Sequence, residues 1–277
     1  MKKILAVLLV LAFVLVGCQG NKPSGGDQEP EKKKTFVVGM EVDSAPFNYQ
    51  LAEPTDTSVA IEGGYADGYD VMMSKAIADK LGLELVIKKI AWDGLIPALV
   101  NGDIDAIIGD MTATEPREES VDFTTPYYDP KGEVIVVLKG SGLENFTDKN
   151  QFAGYRLVGQ INTINDEAID QVEGAIHAVP KATYPEMVLA LTNDDVDGIV
   201  CQKAEAASMM MSNSNLVMVT FEGDAGFDLD TTVSIALQEG TRGTQFFNDV
   251  QAALDSISDE TRDAWMIDAI SKAPVEE

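Results

Sequence analysis

Two fourteen-residue segments of the chain are similar to each other, and this repeat limits the possible folds more than any other feature. Residues 95–108 read LIPALVNGDIDAII, and residues 187–200 read MVLALTNDDVDGIV. The identical positions include Ala98/Ala190, Leu99/Leu191, Asn101/Asn193, Asp103/Asp195 and Asp105/Asp197. In each copy, apolar residues at helical spacing are followed by a polar turn and a short apolar run typical of a buried strand. The repeat predicts two α/β lobes of related design, with a chance similarity between two helix–turn–strand units as the alternative.

Short apolar runs alternate with helical periodicity in both halves of the chain. In the first half we expect strands at 36–40, 85–87 and 104–108 and helices at 69–81 and 95–100. Gly82 follows the first helix at the position that favours a left-handed cap. In the second half we expect strands near 157–158 and at 216–219, and helices at 165–171 and 203–211. Strands and helices that alternate at this spacing predict parallel βαβ units.

The N-terminus carries a secretory pattern. Two lysines precede an apolar stretch at 4–16, which is shorter than the roughly 20 residues that a helix needs to span a bilayer. The stretch ends in Leu15-Val16-Gly17-Cys18, which resembles the bacterial lipobox. That resemblance implies removal of residues 1–17 as a lipoprotein signal peptide and attachment of diacylglycerol to the Cys18 sulfur. A plain signal peptide with a chance cysteine is the alternative. Residues 18–34 are rich in glycine, proline and charge and are expected to form a flexible tether.

The charge balance and the scarcity of histidine and cysteine exclude several kinds of partner. The chain has 46 acidic and 20 basic residues, a formal net charge of -26. A surface this acidic repels phosphate backbones, so no nucleic-acid partner is expected. With one histidine and two cysteines, neither a Cys/His metal cluster nor a disulfide framework is expected. Cys201 lies in an apolar run, which predicts a buried thiol rather than a reactive one.

Ligand-binding residues are expected where the predicted strands end. In open parallel sheets, ligands bind just beyond the carboxyl ends of the strands. In this chain those ends are residues 41–47 and 109–112 in the first half and residues 159–163 and 201–203 in the second. If the two lobes face each other, the four segments line one cleft between them. Domain interfaces of this kind are preferred positions for small-molecule sites.

Seven motifs follow one another in a specific order and spacing. They are SAPFNY at 44–49, GYDV at 68–71, WDGLIPAL at 92–99, GDIDAII at 102–108, MTATEPR at 111–117, VDFTTPYY at 121–128 and QINTI at 160–164. Over about residues 35–270 the chain resembles the extracellular solute-binding proteins, family 3, of polar amino-acid ABC importers. The resemblance implies the α/β type II periplasmic-binding-protein fold, two lobes joined by a two-strand hinge. Lobe 1 would comprise residues 35–129 and 225–277, and lobe 2 residues 130–224, with hinges near 128–131 and 222–231.

The resemblance also implies how the ligand carboxylate is held. In the family, an arginine a few residues past a first-lobe hydroxyl residue holds this carboxylate, and here the arginine is Arg117. Its planar, always charged fork suits a carboxylate bidentately, and a surface salt bridge beside neighbouring glutamates is the alternative. Thr112 matches the hydroxyl residue, and the backbone N–H of Thr163 would reach the same carboxylate at a helix N-terminus. For both threonines, a plain turn or capping role is the alternative.

Aromatic rings are expected around the ligand side chain. Phe47 and Tyr69 occupy positions where family members cover that side chain, although Tyr69 also fits the core face of its predicted helix. Ser44 stands where many relatives have another aromatic residue, so one stacking face is expected to be absent. Trp92 opens a Trp-Asp-Gly turn and is expected to pack rather than bind.

Two departures from the family affect the choice of ligand. Relatives usually have Asp or Glu at the second-lobe strand end to hold the ligand ammonium, but this chain has Gln202 there. An amide accepts a hydrogen bond from ammonium without cancelling its charge. Asp110 stands where relatives commonly have a small residue, and we expect it to replace the missing charge or, with Glu41, to receive a basic side chain. A local turn or cap is the alternative. Met111 follows Asp110 and is included in the predicted site.

These residues predict a receptor rather than an enzyme. The protein is expected to bind a polar or basic amino acid between its lobes, to close around it by hinge motion and to deliver it to an ABC permease. It is expected to be a monomer without cofactor or metal, anchored through Cys18 to the cell membrane on the extracellular or periplasmic side. The alternative is an enzyme of the same fold, similar to cyclohexadienyl dehydratases, in which Asp110 or Glu41 would act as the general acid.

Overall fold

The computed structural model describes residues 34–130 and 132–274, and these residues form three β-sheets with helices packed around them. The strands are β1 (Thr35–Met40), β2 (Asp43–Ser44), β3 (Asn48–Leu51), β4 (Val59–Ile61), β5 (Gly64–Asp67), β6 (Glu84–Lys89), β7 (Ala106–Ile107), β8 (Val121–Tyr128), β9 (Glu133–Leu138), β10 (Arg156–Val158), β11 (Ile176–His177), β12 (Gly198–Gln202), β13 (Leu216–Val219) and β14 (Val233–Gln238). The α-helices are α1 (Tyr69–Leu81), α2 (Leu95–Val100), α3 (Glu115–Glu118), α4 (Ile164–Ala168), α5 (Tyr184–Thr192), α6 (Lys203–Ser212), α7 (Gln245–Asp255) and α8 (Asp259–Lys272). The predicted signal peptide, the predicted lipidation site Cys18 and the tether up to residue 33 lie outside the described residues.

The two larger sheets have the same topology. The strand order is β6-β1-β7-β14-β8 in the first and β11-β10-β12-β9-β13 in the second, and a smaller sheet, β2-β3-β5-β4, lies beside the first. In each large sheet the first three strands are parallel, as predicted. The last two strands of each are antiparallel to their neighbours, which the sequence pattern did not predict. In each sheet one of these strands, β14 or β9, comes directly after the chain has crossed from the other sheet.

The two copies of the sequence repeat have the same local structure. The Asp105 N–H donates to the Val37 carbonyl at 2.7 Å, and the Asp105 carboxylate accepts from the Val37 N–H at 2.8 Å. Asp197 makes the same pair of bonds with Arg156, at 2.8 and 2.7 Å. Each aspartate thereby joins the turn after its helix to the neighbouring strand. The shared residues of the repeat thus correspond to a shared way of joining a helix to a sheet.

Helix α1 follows from its apolar spacing. Tyr69, Met72, Met73 and Ile77 lie on one face and are buried against the first sheet. Gly82 closes the helix in a left-handed conformation (φ 67°), and its N–H bonds to carbonyls of the last turn. A fully buried side chain of this size contributes roughly 1.5 to 3 kcal/mol, so packing of this face outweighs helix propensity.

Other predicted elements differ in length from the structure. The strand expected at 104–108 is paired only over Ala106–Ile107. The helix expected at 165–171 is divided into α4 and a 3-10 turn at Ile169–Gln171. Alternate residues of β9 pack into two different hydrophobic clusters, with Val134 and Val136 on one face and Ile135 and Val137 on the other. The second sheet is therefore covered on both faces, as expected for a sheet of this type.

Two chain crossings connect the sheets. The chain leaves the first sheet after Tyr128, enters the second at Glu133, leaves it after Val219 and returns at Val233. The described residues form one compact unit with hydrophobic clusters on both sides of each sheet. The predicted lobe boundaries at 129/130 and 224/225 fall within the two crossings and stay a prediction.

Candidate functional site

A narrow cavity lies between the two lobes, at the ends of the strands. Its wall in lobe 1 follows β1 and β7, and its wall in lobe 2 comes from the end of β12, the segment after β10 and the start of α5. The lining residues are Glu41, Ser44, Asn48, Trp92, Gly109, Asp110, Thr112, Arg117, Gln160, Thr163, Ile164, Asn165, Tyr184 and Gln202. All four segments expected at the strand ends contribute to it, in agreement with the rule for open α/β sheets.

Seven of the ten predicted ligand-binding residues line this cavity, and they are Glu41, Ser44, Asp110, Thr112, Arg117, Thr163 and Gln202. The other three, Phe47, Tyr69 and Met111, are at most 1% exposed and belong to the hydrophobic clusters of lobe 1. The Tyr69 ring packs edge-on against Phe47 at 6.1 Å, and its hydroxyl donates to the Tyr127 carbonyl at 3.0 Å. The structure thus places Tyr69 on the core face of α1, the alternative that its helical spacing left open.

Arg117 is held at the cavity wall by contacts with both lobes. Its Nη1 donates to the Thr112 carbonyl at 2.8 Å, and its Nη2 donates to the Asn162 carbonyl at 3.1 Å. The guanidinium lies over the Trp92 ring, 5.2 Å from the centroid, which is within cation–π range. Burial lowers the pKa of Arg117, but an arginine stays protonated in proteins because its ordinary pKa is so high. The contacts therefore fix one orientation of a positive charge, and Trp92 lines the cavity beside it.

Three neutral polar atoms in the wall have no hydrogen-bond partner within the described residues. They are the hydroxyl of Thr112 and the carbonyl oxygens Gln202 Oε1 and Asn165 Oδ1. The three residues are at most 3% exposed. A buried polar group without a partner costs about 1 to 3 kcal/mol, so these groups are available to a bound molecule.

Two carboxyl groups, those of the half-buried Asp110 and the buried Glu205, interact electrostatically at the junction of the lobes. The Oδ1 atom of Asp110 has no hydrogen-bond partner within residues 34–130 and 132–274. Glu205 accepts from the Gln202 N–H at 2.8 Å and, across the cleft, from the Ser44 hydroxyl at 3.4 Å. Burial raises the pKa of both groups, and the neighbouring Glu205 carboxyl raises that of Asp110 further.

Glu41 is a third carboxyl group in the cavity wall. Gln160 Nε2 donates to both of its oxygens, at 2.9 and 2.8 Å, and also to the Ala182 carbonyl at 2.8 Å. Burial raises the pKa of Glu41 to about 7. Because Glu41 belongs to lobe 1 and Gln160 to lobe 2, this contact forms only when the lobes are close together.

Glu133 adds a fourth carboxyl group behind the wall. It is the first residue of β9, opposite Gln202 in the register of the sheet, and it is 5% exposed. Neither carboxyl oxygen has a hydrogen-bond partner in the described part of the chain. Burial, followed by the charge of Glu205, holds the pKa of Glu133 well above its usual range. The closed site thus concentrates acidic groups in a region of low dielectric, where leaving them ionised and uncompensated is unfavourable.

A hydrogen-bond network in lobe 1 sets the position of Asp110. Asp110 has a left-handed backbone (φ 55°), and its N–H donates to the Tyr127 hydroxyl at 3.1 Å. That hydroxyl donates to Asp70 Oδ1 at 2.7 Å, and the Asn48 amide donates to Asp70 Oδ2 at 2.8 Å. The Asn48 carbonyl oxygen accepts from the Val42 N–H at 2.7 Å. The network joins the segment after β1 to the segment after β7, so the two lobe 1 walls of the cavity are positioned together.

Thr163 caps α4 with its hydroxyl. The hydroxyl oxygen accepts from the Asp166 N–H at 3.3 Å and donates to the Gln160 carbonyl at 2.7 Å. The side chain of Thr163 therefore has the capping role that the sequence analysis gave as the alternative. The expected contact of the Thr163 backbone N–H with a ligand carboxylate stays a prediction.

Several residues at the site were not singled out in the sequence, and Glu205 is the most informative. Gln202, at the end of β12, is the last predicted ligand-binding residue along the chain. Glu205 lies three residues further, in the first turn of α6, and its carboxylate returns to the Gln202 N–H in a capping box. The spacing Gln-x-x-Glu at the start of a helix was the signal that could have indicated it. Tyr184, whose hydroxyl accepts from the Asn165 amide at 3.1 Å, joins the wall through tertiary packing alone.

Two further properties concern the described residues as a whole. None of their helices combines the length and the apolar character that crossing a bilayer would require. Within the same residues, no group of three or more His, Cys, Asp or Glu side chains is arranged to hold a metal ion.

Comparison with known proteins relates this site to a family. The model of the bacterial extracellular solute-binding proteins, family 3, matches residues 36–266. The chain belongs to this family. It is 32% identical over 229 residues to a probable histidine-binding protein of Campylobacter jejuni, a match that covers 82% of this chain and 84% of that protein. The resemblance of the sequence motifs to this family is thereby confirmed.

A further relative and a solved structure agree with this assignment. The chain is 28% identical to the arginine-binding extracellular protein ArtP of Bacillus subtilis over 78% of this chain and 79% of that one. Its fold matches the structure of holo ArgBP from T. maritima with a TM-score of 0.67 and 29% identity, covering 82% of this chain and 92% of that one. The predicted type II fold is therefore confirmed. These relatives are solute-binding proteins rather than enzymes, as the sequence indicated.

Proposed function

We propose that this family 3 protein captures a basic amino acid between its lobes for an ABC importer. The observation that carries the proposal is the charge at the cavity. The carboxyl groups of Glu41, Asp110 and Glu205 lie at or beside the wall, whereas Arg117 is the one basic side chain among the described lining residues. A molecule with one carboxylate and two cationic groups complements this distribution, and a basic amino acid is such a molecule.

The carboxylate of the ligand would bind at Arg117. The guanidinium is already oriented by the Thr112 and Asn162 carbonyls, so little further ordering is needed when a carboxylate arrives. The Thr112 hydroxyl, which has no partner in the described part of the protein, lies in the same wall and would donate to the carboxylate. A charged donor and a neutral donor would then share one anionic group.

The cationic groups of the ligand would bind at the acidic residues. Asp110 and Glu205 would hold the ammonium group, and the unpartnered Gln202 Oε1 would accept from it. Glu41 would receive the basic side chain. In this arrangement Glu205 shares with Asp110 the charge-compensating role that the sequence analysis expected of Asp110 alone.

The same acidic groups would couple ligand binding to lobe closure. Closing the empty cleft reduces the exposure of Asp110, Glu205 and Glu41 to water, and burial disfavours their ionised forms and raises the pKa of each. A cationic ligand would neutralise them, so it would favour the closed state more than the open state. Such a differential interaction is what a ligand needs in order to shift a conformational equilibrium.

The relatives support an amino-acid ligand. One is named as a probable histidine-binding protein and another as an arginine-binding protein. Both names denote amino acids with a basic side chain, which agrees with the acidic cavity of this chain. A third relative is an ABC transporter glutamine-binding protein of Bacillus subtilis, 30% identical, so a neutral ligand is the natural comparison.

Calorimetric titration of the wild-type protein tests the proposal. The titrants are L-arginine, L-lysine, L-histidine, L-glutamine and L-citrulline. Citrulline is the matched control, because it has nearly the shape of arginine without the side-chain charge. We expect at least one basic amino acid to bind with a Kd at least about tenfold lower than that of citrulline and glutamine, a difference of about 1.4 kcal/mol. Equal or tighter binding of the neutral amino acids would overturn the proposal of a basic ligand.

We further propose that the protein acts as a monomer held to the outer face of the cell membrane by diacylglycerol on Cys18, from which it delivers the ligand to an ABC permease. Two acyl chains provide stable anchoring, whereas one gives only marginal binding. In cells fed a labelled fatty acid, the wild-type chain should carry the label and sediment with membranes. The Cys18→Ala variant should do neither, and an unchanged membrane fraction would contradict the anchor.

A further inference from the structure

A single residue of lobe 2, Asn162, makes three hydrogen bonds to lobe 1. Its carbonyl accepts from Trp92 Nε1 at 3.1 Å and from Arg117 Nη2 at 3.1 Å. Its side-chain amide donates to Asp93 Oδ1 at 2.7 Å. All three partners lie across the cleft from Asn162. The contact therefore exists only while the lobes are closed.

The backbone of Asn162 explains how one residue reaches three partners. Its φ of 58° is left-handed, a conformation that asparagine tolerates better than most residues. The flanking backbone is anchored within lobe 2, because the Ile161 N–H donates to the Lys181 carbonyl at 2.9 Å and Thr163 caps α4. The left-handed turn at residue 162 thus projects from a fixed segment.

Arg117 lies between two carbonyls, one from each lobe. The Thr112 carbonyl belongs to its own lobe and is present in any state of the cleft. The Asn162 carbonyl reaches Arg117 only on closure. Trp92, over whose ring the guanidinium lies, donates to that same carbonyl. Closure and the final orientation of Arg117 therefore depend on one acceptor.

We propose that Asn162 is a closure latch that also positions Arg117. When the lobes meet, its carbonyl binds Trp92 and Arg117 and its side chain binds Asp93, so the closed state and the carboxylate-holding orientation of Arg117 form together. Asn162 acts through Arg117 and is a positioning residue rather than a ligand contact. The inference rests on the proposed function, because the consequence for affinity requires a carboxylate ligand at Arg117.

Two substitutions separate the bonds of the latch. Asn162→Gly keeps the left-handed backbone and its carbonyl, and removes only the bond to Asp93. Trp92→Phe removes the Nε1 donor and keeps an aromatic ring beneath Arg117. One net hydrogen bond corresponds to roughly a twofold to tenfold change in an equilibrium constant. We expect each variant to release L-arginine about twofold to tenfold faster than the wild type, with the on-rate nearly unchanged.

Controls distinguish a latch from a structural residue. Asp194 also has a left-handed backbone (φ 60°) and is exposed in lobe 2, so Asp194→Gly is the matched control for Asn162→Gly. A latch raises the off-rate without lowering the thermal midpoint of the ligand-free protein. Asp93→Asn keeps an acceptor for the Asn162 amide, whereas Asp93→Ala removes it. The off-rate of Asp93→Asn should therefore be closer to that of the wild type than the off-rate of Asp93→Ala. Unchanged off-rates in both latch variants, or an equal loss of ligand-free stability, would overturn the proposal.

A second measurement keeps the latch apart from the proposed function. Spin labels on cysteines introduced at the exposed positions Asp79 and Glu173, one in each lobe, report the distance between the lobes without ligand and with L-arginine. If the wild type binds no basic amino acid, the proposed function fails whatever Asn162 does. If the wild type binds and closes but Asn162→Gly and Trp92→Phe close to the same extent and release arginine at the same rate, only the latch fails.

Discussion

The substitution Asp110→Asn provides the sharpest test of the acidic site. The change is nearly isosteric and removes one negative charge. Asparagine tolerates the left-handed backbone at this position (φ 55°), and the bond from the residue 110 N–H to the Tyr127 hydroxyl is made by the backbone. The substitution therefore leaves the network around Tyr127 and Asp70 intact. Any effect on ligand binding then arises from the side-chain charge.

The expected magnitude follows from the surroundings of Asp110. The side chain is half-buried beside Glu205, and its buried Oδ1 has no partner in the described residues. A hydrogen bond to a charged group contributes about 1.5 to 3 kcal/mol, which corresponds to roughly a tenfold to 150-fold change in Kd. We expect Asp110→Asn to raise the Kd for a basic amino acid by about that factor. Because burial and Glu205 raise the pKa of Asp110, the same change should leave the ligand-free protein as stable as the wild type at neutral pH, or more stable.

Calorimetric titration gives the Kd, and urea unfolding of the ligand-free protein gives the stability. Asp194→Asn is the matched control, since Asp194 has the same backbone conformation (φ 60°) on an exposed turn of lobe 2. The combination of weaker binding and undiminished stability is specific to a charge that serves the ligand. A Kd within a factor of about two of the wild type would refute the reasoning.

Three further predictions concern Arg117, the carboxyl groups of Glu41 and Asp70, and the thiol of Cys201. Arg117→Lys should weaken amino-acid binding by about tenfold or more, because a lysine point charge cannot replace the bidentate fork held between two carbonyls; calorimetry measures it, and an unchanged Kd would exclude Arg117 from the carboxylate site. Burial raises the pKa of Glu41 to about 7 and that of Asp70 to about 6, so both bind protons more tightly in the folded protein than in the unfolded chain. The free energy of unfolding of the ligand-free protein should therefore fall as pH rises from about 4 to about 7, by up to about 3 kcal/mol for each group; urea unfolding near pH 5 and near pH 8 checks this, and greater stability at the higher pH would contradict it. Cys201 is fully buried, and burial raises the pKa of its thiol. It should therefore react with a thiol reagent in urea but not in native buffer. Rapid labelling in native buffer would contradict this and would show that the second sheet opens.

Local patterns were sufficient for most of the fold. The apolar spacing of α1 and the glycine at residue 82 predict the helix and its end, because both signals act within a few residues of chain. The repeated Asp105 and Asp197 indicate the shared design of the lobes for the same reason. The strand at 104–108 was predicted too long, and the helix predicted at 165–171 is divided into α4 and a 3-10 turn, since pairing and packing with distant segments decide where an element ends.

Parts of the candidate site depend on distant contacts. Phe47 and Tyr69 carry the right chemistry to cover a ligand, but the packing of α1 against the first sheet buries both in the core. The capping-box spacing could have indicated Glu205 locally, but its contact with Ser44 joins positions 161 residues apart, and no local pattern predicts that contact. The cross-cleft contacts of Asn162 join residues about 45 to 70 positions apart in the chain, and no local sequence pattern predicts them.

The sequence by itself determined the family, the α/β class, the two related lobes and the strand ends that line the cavity. These properties are encoded in short-range periodicity and in motifs whose order is readable along the chain. Only the tertiary structure decided which acidic groups meet, that Asp110 and Glu205 approach each other across the cleft, and that Asn162 joins the lobes at Arg117. These contacts arise when two separately formed lobes close on each other, so their geometry is set by packing between segments that the sequence does not place side by side.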